Sequence, residues 1–310
     1  MPWWLALFRR YVEMISSKKY NKQQILAAAI FLMPTAVLLI GFSYYPAVMA
    51  IIDSFMRWDG FNPPEFIGLQ NYADLLKDDI FRIAVVNVVK WSIGATIIAL
   101  TAPLIAAEFI FSLKNKSSQY WYRVVFVLPM VVPAIVVIQV WTFIYEPNVG
   151  ILNKLLELLG LSGLINNWLG DSAFVIPSLV FIGFPWVSGL YLLIYYAGLQ
   201  GIPMDVLEYA QIDGCTGFRK IARIHLPLIA GQLKLVLILN IINTLQNVTV
   251  PLLMTGGGPG YESYVPGLYM YFKAFQLSDF GYATCIATVM FMIIFVLTAL
   301  SMRINKNNEI

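Results

Sequence analysis

Four polar side chains recur at helical spacing inside an apolar stretch near residue 240. They stand at positions i, i+3, i+4 and i+7, which places them on one face of a helix: Asn240, Asn243, Thr244 and Asn247. Amide and hydroxyl groups both donate and accept hydrogen bonds, which suits the many hydroxyls of a neutral sugar. The alternative use of such groups is hydrogen bonding between helices, worth about 0.6 kcal/mol per bond in membranes.

Aromatic side chains follow the motif GFPW at residues 183–186. Trp186 and Tyr191 could supply flat surfaces on which sugar rings stack, and Pro185 is expected to bend the helix that carries them. Tryptophan and tyrosine also gather at membrane interfaces, where they anchor helices. For any one of these residues alone, anchoring or packing is the favoured interpretation.

A compact charged segment, residues 203–227, separates two long apolar stretches. Its signals predict two short helices: Pro203 suits a first turn, Gly214 can end a helix in the left-handed conformation, and Thr216 can cap the next helix. Pro227 is expected to separate the second helix from the apolar stretch that follows. On physical grounds alone, the segment could equally be an ordinary loop whose charges only fix the topology.

The motifs predict no catalytic residues, no metal site and no cofactor. The chain has one histidine, His225, and two cysteines, Cys215 and Cys285, which disfavours a metal centre and a disulfide framework. It contains no Walker phosphate-binding loop, no G-x-S-x-G and no H-E-x-x-H. We therefore expect a protein that is not an enzyme. Any chemical energy it uses must come from another subunit or from an ion gradient.

The composition predicts a polytopic, all-α membrane protein. Of the 310 residues 59% are hydrophobic and only 12% are charged, whereas soluble domains carry about 25% charged residues. The net charge of +3 is too small to suggest nucleic acid as a partner. A spanning helix needs about 20 mainly apolar residues. Six stretches meet this requirement: 24–50, 84–112, 124–145, 174–199, 228–253 and 281–302.

Lysine and arginine fall unevenly on the two sides of these spans. Thirteen of the 20 lie before the first span, in the second-to-third and fourth-to-fifth connections and in the tail, and only five lie opposite. The positive-inside rule therefore places both termini and the charged segment in the cytoplasm. The predicted organisation is a cytoplasmic or interfacial segment 1–23, a membrane domain 24–302 that includes the loop 202–227, and a cytoplasmic tail 303–310.

Three charged residues lie inside or near the ends of the predicted spans: Lys90, Glu108 and Lys234. Glu108 and Lys234 are expected to reach cytoplasmic water by snorkelling, and Lys90 is expected to reach water in the same way on the outer side. A proton relay is therefore disfavoured. A lysine could still meet a carboxylated sugar, so acidic cargo stays open.

Several stretches carry a resemblance to a known family. In the charged segment the relevant residues are Glu208, Ala210, Asp213, Gly214, Phe218, Ile224, Leu226 and Pro227. They resemble the "EAA" loop of binding-protein-dependent ABC importer permeases. FIGLQNYADLLKDDIF, and LLMTGGGPG followed by LYMYFKAF and FGYATCIATVMF, resemble the maltose-type carbohydrate permeases of that family. The resemblance covers residues 25 to 302 and departs from the family pattern at Tyr209 and Cys215.

The resemblance implies a permease subunit of a carbohydrate ABC importer in a bacterial cytoplasmic membrane. The expected partners are a second permease, two cytoplasmic ATP-binding subunits, an extracytoplasmic solute-binding protein, a carbohydrate and membrane lipid. The loop would be a coupling helix that docks into an ATPase subunit, with Glu208 and Arg219 as contacts and Gly214 as the bend. The polar stripe stands where maltose-type permeases bind sugar, which favours cavity lining over helix packing.

Two other classes of function stay open at this point. A secondary transporter driven by an ion gradient would show internal repeats and carboxylates near mid-span, and neither is evident. An intramembrane enzyme would need catalytic residues, which the motifs do not supply.

Overall fold

The computed structural model describes residues 22–304 and is helical over most of that range. The β pairing within the described range is a two-stranded antiparallel ribbon, β1 (Met56–Arg57) and β2 (Glu65–Phe66), in which Arg57 lies opposite Glu65. The segment predicted for residues 1–23 and the tail predicted for 303–310 fall almost wholly outside the described residues. The helical architecture confirms the all-α prediction.

The helices have the following bounds in chain order: α1 (Lys22–Leu39), α2 (Tyr45–Asp53), α3 (Gln70–Lys77), α4 (Asp79–Ser112), α5 (Lys116–Val127), α6 (Ala134–Ile144), α7 (Ile151–Leu158), α8 (Val175–Phe181), α9 (Gly189–Gln200), α10 (Met204–Ile212), α11 (Gly217–Lys220), α12 (Leu226–Leu228), α13 (Ala230–Leu245), α14 (Thr249–Met254), α15 (Pro266–Phe275) and α16 (Phe280–Ile304). Two π turns, Ile40–Tyr44 and Ile221–His225, join neighbouring helices without interrupting the spiral, and 3-10 turns occupy Leu128–Val131 and Ser162–Leu164.

The chain divides into two compact units, residues 1–52 and 53–310. In the described part of the first unit, α1, the π turn Ile40–Tyr44 and most of α2 form an apolar helical stretch. Its side chains are mostly exposed, including Phe31 and Phe42. A helix that is hydrophobic all round is typical of a membrane span.

Three helical stretches are long and apolar enough to cross a membrane unaided: Ala28–Asp53, Asp79–Ser112 and Phe280–Ser301. Three bent pairs meet the same test only if each pair counts as one span: Lys116–Val131 with Ala134–Ile144, bent by 88°; Gly189–Gln200 with Met204–Ile212, bent by 74°; and Gly217–Leu228 with Ala230–Leu245, bent by 74°. The upper count for the described residues equals the predicted six, but two of the three pairs include helices of the charged segment 203–227, which was predicted to lie outside the membrane. The prediction of continuous helices over 124–145 and 228–253 was wrong, because the chain bends inside the first range and starts a new helix after Leu245 in the second.

The predicted fourth span, 174–199, is also interrupted rather than merely bent. Residues 182–188 are not helical, and they separate α8 from α9. Gly183 has φ of +83° and Trp186 has φ of +60°, both in the left-handed region that a right-handed helix does not contain. Pro185 between them supplies no backbone N–H donor. These residues therefore form a loop at the depth where the hydropathy pattern predicted helix.

Helix α4 lies at the centre of the second unit and packs along both α9 and α13. The core between them is built from small and branched side chains: Ala107, Ile110, Leu192, Leu199, Ile229 and Val236 are among its buried members. Small residues let helices approach closely in membranes. At Gly94 an added Cβ would lie 2.8 Å from a Val180 methyl, so only glycine permits this contact between α4 and α8.

A proline inside α4 has its lost hydrogen bond replaced. Pro103 has no N–H, so the carbonyl of Ala99, four residues earlier, lacks its helical partner. The hydroxyl of Tyr195 on α9 donates to that carbonyl at 3.3 Å, and Tyr195 is fully buried. The substitute bond holds α4 and α9 together and keeps a buried carbonyl satisfied.

Candidate functional site

A cavity of about 360 Å³ opens between α4, α8, α9 and α13. Its wall consists of Trp91, Ala95, Ile98, Ala99, Leu179, Val180, Ile182, Gly183, Trp186, Val187, Ser188, Tyr191, Asn240, Thr244 and Val250. The volume lies within the usual range for small-molecule pockets, about 300–1,000 Å³. Aromatic rings, aliphatic groups and a few amide and hydroxyl groups form this wall, and none of these lining residues is charged.

Two residues of the predicted polar stripe belong to the cavity wall. Asn240 and Thr244 are both buried on α13. The Asn240 amide donates to the Thr96 hydroxyl of α4 at 3.0 Å, and the Thr244 hydroxyl donates to the Asn240 carbonyl at 2.9 Å. Asn240 therefore ties two helices together while it faces the cavity, which combines the two uses that the sequence left open.

The other two residues of the stripe do not line the cavity. Asn243 is exposed on α13, and its side chain hydrogen-bonds that of Tyr191. Asn247 follows the end of α13, and its side-chain oxygen accepts from the Val250 amide at 3.1 Å. Asn247 thus satisfies a free N–H group in the first turn of α14. The spacing aligns Asn247 with the rest of the stripe only on a continuous helix, whereas α13 ends at Leu245.

Both predicted aromatic residues lie in the cavity wall. Tyr191 is buried on α9, whereas Trp186 lies in the loop 182–188, where its indole N–H donates to the Phe181 carbonyl at 3.0 Å. The ring of Trp186 stands perpendicular to those of Phe181 and Phe184, with centroids 4.8 Å from each. Phe184 is more than half exposed. The broken span therefore presents an open aromatic cluster beside the cavity.

The charged segment forms a short lever of two helices joined at a tight turn. Helix α10 ends as predicted: the amide of Gly214 donates to the Gln211 carbonyl at 3.1 Å, and the amide of Cys215 donates to the Ala210 carbonyl at 2.8 Å. With φ of +67° at Gly214, this is the Schellman pattern of helix termination. Thr216 has extended backbone before α11 but makes no side-chain cap, contrary to the prediction.

The predicted coupling residues are distributed over both faces of this segment. Ala210 is buried, whereas the other members of the predicted set are exposed: Glu208, Asp213, Gly214, Phe218, Arg219 and Pro227. Large apolar side chains also point outward, with Tyr209 69%, Ile212 80% and Phe218 81% exposed. The segment therefore presents a mixed apolar and charged surface.

The predicted break at Pro227 was misplaced by two residues. Helical structure continues through Pro227 in α12, and the chain turns at Ile229, whose φ of −99° and ψ of 18° depart from helix. The helical stretch Gly217–Leu228 is continuous across the π turn, so Pro227, which has no N–H to donate, lies in its last turn and the stretch ends one residue later. The 74° bend between Gly217–Leu228 and α13 follows this turn.

The prediction that Glu108 reaches water was wrong. Its carboxylate is buried and lies 2.9 and 3.0 Å from Nδ1 of His225. Lys90, by contrast, is exposed and Lys234 is half-buried, and neither lines the cavity. Sequence reasoning missed the Glu108 contact because its partner lies 117 residues away.

A second, strongly polar cavity lies at the opposite end of α4, with a volume of about 700 Å³. Among its lining residues is Asp78, which caps α4 through the Ile80 and Phe81 amides at 2.9 and 3.1 Å. Its other oxygen accepts from the hydroxyls of Tyr269 and Tyr282 at 2.6 and 2.7 Å. Burial raises the pKa of Asp78, but the hydrogen bonds outweigh burial and hold the pKa below its usual value.

These features define a class before any comparison: a helical membrane protein with an uncharged cavity among its helices and an exposed lever at one end. A family model described as "Binding-protein-dependent transport system inner membrane component" matches residues 99–309. The chain belongs to this family of membrane-embedded transport components.

Individual relatives agree with this assignment. The chain is 32% identical over 285 residues to the probable ABC transporter permease protein YurN of Bacillus subtilis (strain 168), which covers 90% of this chain and 96% of that protein. It is 31% identical over 283 residues to the diacetylchitobiose uptake system permease protein NgcF of Streptomyces coelicolor (strain ATCC BAA-471 / A3(2) / M145), which covers 88% of this chain and 80% of that protein. The resemblance stated from the charged segment is therefore confirmed.

The fold is similar to that of a solved transporter. The chain superimposes on a protein chain from the crystal structure of a bacterial alginate ABC transporter in complex with alginate pentasaccharide-bound periplasmic protein. The TM-score is 0.79 and the sequence identity is 20%. The match covers 92% of this chain and 96% of that chain. None of these findings supports the alternative of an ion-gradient-driven secondary transporter.

Proposed function

We propose that the chain is the permease subunit of a bacterial carbohydrate ABC importer and forms part of the translocation path. The observation that carries the proposal is the uncharged cavity between α4, α9 and α13, with Trp186, Tyr191 and Asn240 in its wall. Aromatic faces and amide groups match the apolar faces and hydroxyls of a sugar ring. A relative named for diacetylchitobiose uptake supports a saccharide as cargo.

The absence of charge among the cavity's lining residues favours a neutral saccharide over an acidic one. A carboxylate that leaves water for a low-dielectric cavity needs a cationic partner, since an unpaired buried charge is costly. Lys90 and Lys234 are the two cations that the sequence places within the predicted spans, and neither lines the cavity. The sequence left an acidic sugar open as cargo because of these lysines, and their positions outside the cavity wall give an acidic sugar no support.

A second permease is proposed to pack against the exposed polar face of α13. Gln246 is exposed directly after this helix, and Asn243 is exposed on it, although the Asn243 side chain also hydrogen-bonds Tyr191 of α9. Polar side chains in a membrane face a cavity, water or another helix rather than lipid. We therefore assign this face to the boundary with a second permease, across which the translocation path would be completed.

The lever α10–α11 is the proposed site of contact with the cytoplasmic ATPase subunits, one beneath each permease. The exposed Tyr209, Ile212 and Phe218 supply the apolar part of that contact, and Glu208 and Arg219 flank it with opposite charges. Apolar side chains that are 69–81% exposed fit a surface that a partner covers. The lysine and arginine distribution supports a cytoplasmic location of both termini and of this lever.

The opposite end of the bundle would receive the extracytoplasmic solute-binding protein. The polar cavity that includes Arg57, Asp59 and Lys273 lies at the end of α4 remote from the lever. Positively and negatively charged side chains both line this cavity, and complementary charges favour selective encounter between two protein partners.

ATP-driven uptake tests the proposal. The chain, a second permease, the ATPase and the binding protein would be reconstituted in proteoliposomes with ATP inside and labelled maltose, trehalose and diacetylchitobiose outside. We expect uptake of labelled sugar that requires internal ATP and persists when an uncoupler collapses the ion gradient. Uptake that stops with the uncoupler while ATP is maintained would contradict the proposal, and so would the absence of any ATP-dependent uptake.

A further inference from the structure

A buried polar contact joins the lever to the long helix α4. Nδ1 of His225 lies 2.9 and 3.0 Å from the two carboxylate oxygens of Glu108, and both residues are at least 90% buried. The carboxylate accepts, so Nδ1 carries the hydrogen. The ring of Phe111 stands edge-on to the imidazole, with centroids 5.6 Å apart. Glu108 and Phe111 are three residues apart on α4, so one helix face holds His225 on two sides.

His225 lies where the lever meets the membrane helices. It ends the π turn Ile221–His225, which follows α11, and its carbonyl accepts from the amide of Ile229 at 2.9 Å. Ile229 is fully buried and marks the bend before α13. π turns are rare and occur often at functional sites. The Glu108 contact is thus made by the last turn of the lever before the chain changes direction.

Helix α4 connects this contact to the cavity. Glu108 is nine residues from Ala99, which lines the cavity, so the two are about 14 Å apart along the helix at 1.5 Å per residue. Pro103 lies between them, and the Tyr195 hydroxyl replaces the bond that the proline removes at Ala99. The same helix continues to Trp91 at the far wall of the cavity.

We propose that the Glu108–His225 contact transmits displacement of the lever to α4 and thereby to the cavity wall. The two residues are positioning residues, since neither lines the cavity nor belongs to the exposed surface of the lever. The inference rests on the proposed function, because it needs an ATPase that moves the lever. In this arrangement the lever moves α4 through a directional polar contact that is buried between them.

The test compares sugar transported per ATP hydrolysed by complete complexes in proteoliposomes. Glu108→Leu and His225→Phe remove the polar contact and keep much of the side-chain volume. Each is expected to lower the sugar-to-ATP ratio about fivefold or more, the lower bound typical of coupling between sites. ATP hydrolysis should stay within about twofold of wild type, because its catalytic groups are in another subunit. Glu108→Gln should restore the ratio, since its amide oxygen still accepts from Nδ1.

The matched control is Glu157→Leu, which breaks a surface pair between Glu157 and Lys154 at 3.0 Å and should change neither quantity. A ratio close to wild type in both Glu108→Leu and His225→Phe would overturn the inference, and so would an equal defect in Glu108→Gln. These outcomes require that the wild-type complex transports. A wild-type complex without ATP-driven uptake would refute the proposed function and this inference with it.

A purely structural role gives a different result. It would lower the yield of assembled complex, measured by size-exclusion chromatography, and leave the ratio of the surviving complexes unchanged. If neither single variant assembles, the exchanged variant Glu108→His/His225→Glu decides. A normal ratio in that variant supports transmission, whereas a reduced ratio or a failure to assemble would overturn it.

Discussion

Two adjacent carboxylates at the start of α4 allow a direct test of the packing at that end of the bundle. Asp78 accepts hydrogen bonds from two backbone amides and from the hydroxyls of Tyr269 and Tyr282. Asp79, the next residue, is exposed and makes one surface ion pair with Arg82 at 2.8 Å. The two residues have the same charge and lie next to each other, so they differ mainly in their contacts.

Asp78→Ala should destabilise the folded protein far more than Asp79→Ala. Loss of a helix cap costs about 1 kcal/mol, and each hydrogen bond to a charged group contributes about 1.5–3 kcal/mol. Because Asp78 is only half-buried, we take the lower end of the range for its two tyrosine hydrogen bonds, which together with the cap gives an expected loss of about 4 kcal/mol. Asp79→Ala should cost at most about 1 kcal/mol, as exposed pairs do. Thermal unfolding of both variants in the same detergent measures the difference.

The pH dependence provides a second measurement on the same group. The pKa of Asp78 is lower in the folded protein than in the unfolded chain, so its stabilisation is fully present above its unfolded pKa, near 3.8. The stabilisation is lost as the pH falls through the lower folded value. The advantage of wild type over Asp78→Ala should therefore be large at pH 7 and should shrink at about pH 3. Equal unfolding midpoints for the Asp78 and Asp79 variants at pH 7 would refute the reasoning.

Three further predictions concern the bundle, the lever and the cavity. Tyr195→Phe should lower stability by about 1–2 kcal/mol in detergent unfolding, because it leaves the buried Ala99 carbonyl without a partner; Tyr209→Phe, at an exposed site, should have little effect. Gly214→Pro should abolish ATP-driven uptake while membrane insertion is retained, because proline cannot adopt the φ of +67° and has no N–H to donate to the Gln211 carbonyl. Gly214→Ala should cost only about 1–2 kcal/mol of lever stability. Asn240→Leu should raise the sugar concentration for half-maximal uptake about tenfold, the effect of one lost hydrogen bond of about 1.4 kcal/mol, and an unchanged value would assign Asn240 to helix packing alone.

The sequence predicted the class of fold, the start of the lever after Pro203 and its bend at Gly214, because local chemistry determines all three. Long apolar runs are helical in a membrane, since lipid offers backbone groups no other partner. Gly214 ends α10 for a reason that lies within four residues of chain. The predicted role of Thr216 was wrong because a capping side chain has alternatives that spacing does not distinguish.

The breaks within spans and the long-range contacts could not be predicted in the same way. A hydropathy window averages over about 20 residues, so the loop 182–188 is hidden among apolar neighbours. The substitution of Tyr195 for a lost backbone bond depends on the packing of α9 against α4, although Pro103 in an apolar run was a visible signal. Glu108 and His225 are the clearest case, since only the fold brings together residues so distant in the chain.

The most direct test of the account is cross-linking from the tip of the lever. In a chain whose native lever cysteine, Cys215, is replaced by serine, Phe218→Cys places a thiol at a position that is 81% exposed, on the surface assigned to the ATPase. In the assembled complex we expect this thiol to form a cross-link to a cysteine in the ATPase subunit, and to react in intact cells only with membrane-permeant reagents. Asn148→Cys, at an exposed position in the connection after α6, is the matched control and should form no such cross-link. Labelling of Phe218→Cys by an impermeant reagent from outside the cell, or a lever that contacts no other polypeptide, would contradict the account.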